Sequence, residues 1–215
     1  VGWTKEKWDK EIPAIRDLYR KDPLNLYSKD FYCRRIKWRG WEMDSGKIIS
    51  DSLNIKSMVD FGCGLGSYLE GALEAKTEKV LGFDIGADLA RECIPENISD
   101  FIRVGNVGKE INCGKWDCAF SIETAEHLLP EEEDAFVTNL FRASSRLIVF
   151  TAAYSFSRPH LNAGKTPYYW EKKFLDLGCV KLKNEEDALK KLLIGSCKKH
   201  IIKKLTVLSI GKDIL

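Results

Sequence analysis

The chain has 215 residues, 44% of them apolar and 31% charged, and its 34 Lys and Arg against 32 Asp and Glu leave a formal net charge of +2. That is the composition of an ordinary globular protein, and the charge total does not announce a nucleic-acid partner. No apolar run approaches the about 18 residues that span a membrane, and the opening VGWTKEKWDKE has no signal-peptide core.

Residues 1–44 read as a helical cap or lid. Over 4–20 the helical period places Trp8, Ile12, Ile15 and Leu18/Tyr19 near one face, and Asp22-Pro23 ends the helix. Aromatic residues interleaved with Lys and Arg continue to Trp41. Residues 45–215 form the second unit, in which short strands alternate with helices. The strands are 56–61 (KSMVDF), 79–84 (KVLGFD), 101–104 (FIRV), 117–122 (DCAFSI) and 146–151 (RLIVFT). Such nearly continuous apolar runs suit strands buried on both faces of a parallel sheet. Helices fall at 67–75, 86–93 and 130–143, the last opened by Pro130 and three glutamates that complement the helix dipole. After an irregular stretch, TAAYSFSRPHLNAGKTP, come a helix at 167–177, a strand at 179–183, a helix capped by Asn184 and ending at Gly195, and the final segment HIIKKLTVLSIGK, which reads as a last strand. The order predicts an α/β fold: a doubly wound, mostly parallel, seven-stranded Rossmann-like sheet with helices on both faces and a helical N-terminal segment.

Seven cysteines (33, 63, 93, 113, 118, 179 and 197) include no C-x-x-C pair. They read as reduced, mostly buried residues of a cytoplasmic protein, and a zinc site is not expected.

The stretch VDFGCGLGS, residues 59–67, sits between the first strand and the first helix. There the backbone must turn tightly and let a ligand approach, with the free N–H groups of a helix behind it. A dinucleotide fingerprint needs G-x-G-x-x-G, and here the third glycine falls one place early. Asp60 inside the strand suits a cationic ligand group better than a pyrophosphate. Asp84, ending the second strand, can accept both hydroxyls of a ribose.

Asp60-Phe61-Gly62-Cys63-Gly64-Leu65-Gly66 resembles the glycine motif of class I S-adenosylmethionine-dependent methyltransferases, and Asp84 resembles that family's ribose-binding acid. Ser121-Ile122-Glu123 followed by Ala125-Glu126-His127-Leu128 resembles the "EHL" run after the family's fourth strand. Pro159-His160-Leu161-Asn162 and Tyr169-Trp170 resemble the tail of some of its members. The resemblance covers residues 45–215. It implies S-adenosylmethionine as cofactor and S-adenosylhomocysteine as product. The implied cofactor residues are Asp60, Phe61, Gly62, Cys63, Gly64, Gly66, Asp84, Ile85, Asn106, Val107, Ser121, Ile122 and Glu123.

Methyl transfer from a sulfonium needs alignment and removal of one proton, so a prominent catalytic constellation is not required. Glu123, His127 and His160 are the candidate bases. No D/N-P-P-Y or Pro-Cys marks the chain as a base-amine or pyrimidine-C5 enzyme. The expected acceptor is a small molecule or sugar bearing a hydroxyl or amine. Two alternatives stay open. One is an RNA acceptor held by Arg34, Arg35, Lys37, Arg39, Lys198 and Lys199. The other is a non-catalytic module that keeps the fold for a partner. Glu123-x-x-Glu126-His127 with His160 also resembles the metal-ligand set of small-RNA 3′-end 2′-O-methyltransferases, although no metal is assigned from sequence.

Overall fold

A computed structural model describes residues 2–211. The N-terminal segment contains α1 (Lys5–Lys21), a 3-10 turn at Pro23–Leu26, α2 (Lys29–Cys33), a second at Arg34–Trp38, and α3 (Arg39–Ser52). Thr4 caps α1 by accepting from the Lys7 N–H. Trp8, Ile12, Ile15 and Tyr19 are its buried stripe, as the period implied, while Leu18 faces outward. Helix α3 runs unbroken through residues 44 and 45, so the expected boundary falls inside an element.

The sheet follows: β1 (Ser57–Phe61), α4 (Ser67–Glu74), β2 (Lys79–Asp84), α5 (Ala87–Ala90), α6 (Glu96–Ser99), β3 (Ile102–Val104), β4 (Trp116–Ile122), α7 (Glu133–Ala143), β5 (Ser144–Thr151), α8 (Pro167–Asp176), β6 (Cys179–Lys181), α9 (Lys183–Leu192), α10 (Lys199–Lys204) and β7 (Thr206–Ile210). Strand order is β3-β2-β1-β4-β5-β7-β6. The first five pair in parallel, and β7 is antiparallel to both β5 and β6. The order reverses between β1 and β4. In open α/β sheets that reversal opens a crevice at the strands' carboxyl ends.

Alternation along the strands feeds two cores. Met58, Cys118, Phe120 and Val149 face one that takes Ile49 of α3, Leu69 of α4 and Leu189 of α9. Val59, Phe61, Ala119 and Phe150 face the other, with Phe136 of α7 and Trp170 and Phe174 of α8. A third cluster sets the stripe of α1 against Leu129, Leu161 and Ala163.

Four local expectations are corrected. The helix expected over 86–93 is α5 plus a short 3-10 turn, with the extra helix α6 behind it. Helix α9 starts one residue before Asn184, which therefore does not cap it; Leu182 holds that position without a side-chain bond. His200–Lys204, expected as strand, lies in α10; residue 212, where that expected segment ended, is outside the described residues. The cysteines are not all reduced, because Cys33 and Cys93 form a disulfide. Their Cα atoms are 5.4 Å apart, an ordinary span for a disulfide, although they are far apart in sequence.

Candidate cofactor and acceptor site

The glycine turn lies at the carboxyl end of β1. The Gly62 and Cys63 N–H groups both donate to the Phe83 carbonyl, at 2.8 and 3.1 Å, which ties the turn to β2. Gly62 has φ +89°, and a Cβ there would meet Thr124 at 2.3 Å. Gly64 has φ +57°, and its nearest neighbour in that direction is the Arg35 Nε at 3.7 Å. The first glycine therefore permits close packing beneath the loop, and the second leaves backbone open to a cavity.

Asp84 is nearly buried and accepts three bonds: from the Gly64 N–H (2.9 Å, Oδ2), the Gly86 N–H (2.9 Å, Oδ1) and the Tyr32 hydroxyl (2.7 Å, Oδ1). Asp60 lies one strand inward with its Oδ1 buried and unpartnered. Burial, then the charges of Asp84 and Glu42, push its carboxyl well above the usual range. An arriving cationic or N–H-bearing group would satisfy that oxygen. The inner cavity, about 70 Å³, is lined by Gly62, Gly64, Asp84, Ile85, Asn106, Val107, Ile122, Glu123 and His127, and roofed by Tyr19, Tyr27, Phe31, Tyr32 and Arg35.

A second, larger cavity of about 780 Å³ adjoins it and shares Phe31, Arg35, Glu123 and His127. Its floor holds Glu126, His127 and His160, each with a ligand-capable atom within 4.8 Å of the others. The His127 Nδ1 donates to the Pro159 carbonyl at 2.9 Å and the His160 Nδ1 to the Ser155 carbonyl at 2.7 Å, so each ring leaves Nε2 as a free lone pair. Burial and His160 lower the His127 pKa to about 3. Burial lowers that of His160 as well. Burial and Glu123 raise Glu126 to about 8, and its Oε2 has no partner.

No protein-family model and no curated protein sequence matches the chain. Solved structures do. An O-methyltransferase of a trans-AT PKS multienzyme of Brevibacillus brevis, solved with S-adenosyl-L-homocysteine, superposes with TM-score 0.54 at 15% identity over 80% of this chain and 72% of that one. An O-methyltransferase family protein from Burkholderia thailandensis gives 0.58 at 12% identity, over 86% of this chain and 60% of that one. The methyltransferase domain of bacterial CtHen1-C gives 0.50 at 16% identity, over 79% and 98%. The chain has the class I S-adenosylmethionine-dependent methyltransferase fold.

Within this methyltransferase fold, five of the cofactor residues expected from sequence do not line the inner cavity. Phe61 turns into the second core and stacks on Phe83. Cys63 and Gly66 pack inward, the latter against Ile102. Ser121 is fully buried and donates to the Phe61 carbonyl at 2.6 Å. Asp60 stands behind the lining with its orphaned oxygen. Asn106 does border the cavity, but its amide is engaged locally: Oδ1 accepts from the Gly108 N–H at 2.9 Å.

Sequence reasoning missed two residues. Lys204 of α10, only 5% exposed, forms an ion pair with Glu123, whose other oxygen accepts from Thr151 at 2.8 Å. Glu123 itself has φ +56°, uncommon for a residue with a side chain. Tyr32, the donor to Asp84, belongs to the N-terminal cap. The basic residues proposed to hold phosphates are largely engaged. Arg39 pairs with buried Glu70, Arg35 faces Glu42 at 3.5 Å and Arg34 faces Asp30 at 3.5 Å, while Lys37 and Lys198 lie over Trp38.

The His160 loop is clamped by α1. Trp8 Nε1 donates to the His160 carbonyl at 2.7 Å, and Arg16 donates twice to the Leu161 carbonyl at 2.9 and 2.6 Å. Asn162 and Tyr169 both donate to Glu133, which explains the spacing of those tail residues as loop anchoring. Arg16→Ala should lower stability by about 1.5–3 kcal/mol, the range for a charged hydrogen-bonding group, as read by urea denaturation. An unchanged midpoint would show that α1 merely rests on the loop.

The His127 shift also sets a pH dependence. The folded ring has a pKa of about 3 against an ordinary 6.5, so between those values the unfolded chain binds the extra proton. The stability this group contributes is complete above pH 6.5 and is lost as pH falls toward 3. With a chelator present, His127→Asn should melt progressively closer to, or above, the parent as pH falls from 7 to 4. Parallel melting curves across that range would show that His127 is not held neutral.

Proposed function

We propose that the chain binds S-adenosylmethionine in the inner cavity and transfers its methyl group to a hydroxyl-bearing small molecule in the outer one. The observation that carries this reading is the junction of the two cavities at Glu123 and His127, at the reversal of strand order. An in-line displacement needs donor and acceptor held face to face across such a junction. The Gly64 backbone and Asp60 would hold the methionine end, Asp84 the ribose, and Asn106 and Val107 the adenine. Where the floor holds no cation, the neutral Nε2 of His160 can take the acceptor's proton. The outer cavity is of the size that encloses a drug-sized molecule.

The Glu126–His127–His160 floor supports a second element of the reading: a divalent cation that orients the acceptor hydroxyl. Two imidazoles whose Nδ1–H groups are fixed on carbonyls, beside an unpartnered buried carboxylate oxygen, are a donor set that fits such an ion. Bound there, the ion would lower the hydroxyl's pKa. Glu123 is not in the cluster, because Lys204 and Thr151 hold it.

The test is mass-spectrometric conversion of S-adenosylmethionine to S-adenosylhomocysteine with a panel of diols, catechols and sugars, with and without Mg²⁺ or Mn²⁺. Acceptor-dependent turnover lost in EDTA supports both elements. Turnover indifferent to EDTA removes the metal. Tight cofactor binding without turnover on any hydroxyl compound would contradict the acceptor class.

A further inference from the structure

The roof of the inner cavity is held shut by contacts that converge on one short stretch of chain. Tyr32 donates to Asp84, the carboxylate assigned above to the cofactor ribose, and its ring lies directly on Gly86: a Cβ on that glycine would sit 2.1 Å from the Tyr32 hydroxyl oxygen. Phe31 packs edge-on against Tyr32, and Arg35, one turn later, reaches Gly64. With these side chains in place about 70 Å³ remains, against the roughly 300–1,000 Å³ of sites that enclose a small ligand. A ribose hydroxyl on Asp84 Oδ1 would compete with the Tyr32 hydroxyl already bonded there.

The next residue, Cys33, is covalently joined to Cys93, in the 3-10 turn that follows α5. Asp84, Gly86 and α5 are successive parts of one β-to-α connection, so the disulfide fastens the roof to the wall it covers. Lys29, four residues earlier, makes an ion pair with Glu92 beside the same bond. Both cysteines are partly exposed, whereas Cys63, Cys118 and Cys179 are buried.

We propose that Cys33 and Cys93 form a reversible thiol–disulfide site that gates the cofactor cavity: oxidised, it latches Tyr32 over Asp84, and reduced, it frees the roof to open. The inference rests on the assignment of the inner cavity to S-adenosylmethionine. Reduction by a dithiol breaks the Sγ–Sγ bond, two electrons and two protons pass to the cysteines, and the dithiol closes to its own disulfide. Oxidation by glutathione disulfide runs the exchange in reverse, and the two thiol hydrogens leave on two molecules of glutathione.

The experiment uses the full chain equilibrated with glutathione disulfide or with dithiothreitol, plus Cys33→Ser and Cys93→Ser. Peptide mapping records the cross-link, amide exchange reads residues 28–38, and calorimetry reads S-adenosylhomocysteine affinity. The expected result is a 33–93 cross-link in the oxidised protein, faster exchange of that segment on reduction, and affinity at least about tenfold tighter in the reduced form. Both serine variants should match the reduced protein in either buffer. Absence of the cross-link under glutathione disulfide, or exchange unchanged by reduction, would overturn the latch. So would a redox effect that survives in the serine variants. Faster exchange on reduction with no cofactor binding in either state would leave the latch standing and defeat the cofactor assignment instead.

Discussion

Asp84→Ala is expected to weaken S-adenosylhomocysteine binding by about 2–4 kcal/mol, a loss of roughly 30- to 1,000-fold, because two ribose hydroxyls lose a charged acceptor. The same carboxylate also accepts from Gly64, Gly86 and Tyr32, so its removal strands three donors inside the turn and should lower stability as well. Asp84→Asn separates the two effects, since the amide keeps the side-chain volume and one acceptor oxygen. Its stability should stay nearer the parent's while affinity still falls. Calorimetry on folded, reduced protein reads the first effect and urea denaturation the second. Unchanged affinity in both variants would mean that the ribose does not lie on Asp84.

His160→Ala is expected to act on turnover alone. His160 lines the outer cavity and not the inner one. Its loss should cut the rate by about 10²–10⁴, the range for a positioned proton acceptor, while cofactor affinity stays within about threefold. Glu126→Gln should behave the same way if the floor binds a cation, and should also abolish the dependence on added Mn²⁺. Cofactor affinity that fell with His160 would show that the two cavities do not divide the roles as described.

The parts of this site that were legible in the sequence are local. Strand runs such as KVLGFD are apolar without interruption because both faces of the sheet are covered. Gly62, Gly64 and Gly66 are clustered where positive φ and close approach are required, and Asp84 ends the neighbouring strand. The parts that were not legible are long-range. Tyr32 read as one aromatic among eight in the cap, and nothing in its neighbours points to an acid 52 residues away. Lys204 sits in HIIKKL, too short to show a helical period, yet α10 carries it to Glu123. Cys33 and Cys93 lie in no disulfide-like spacing, and only the closure of the cap over α5 brings them together. The tail residues Asn162 and Tyr169 were visible as a pattern, but their work is to fix the His160 loop through Glu133.

The most direct measurement is calorimetric titration of the reduced full chain with S-adenosylmethionine, S-adenosylhomocysteine and NAD. The expected result is one site per chain for the first two, with micromolar affinity, and no heat from NAD, since the third glycine is misplaced for a pyrophosphate. Binding of NAD, or of none of the three by reduced protein, would contradict the assignment of the inner cavity and leave the methyltransferase fold without its chemistry.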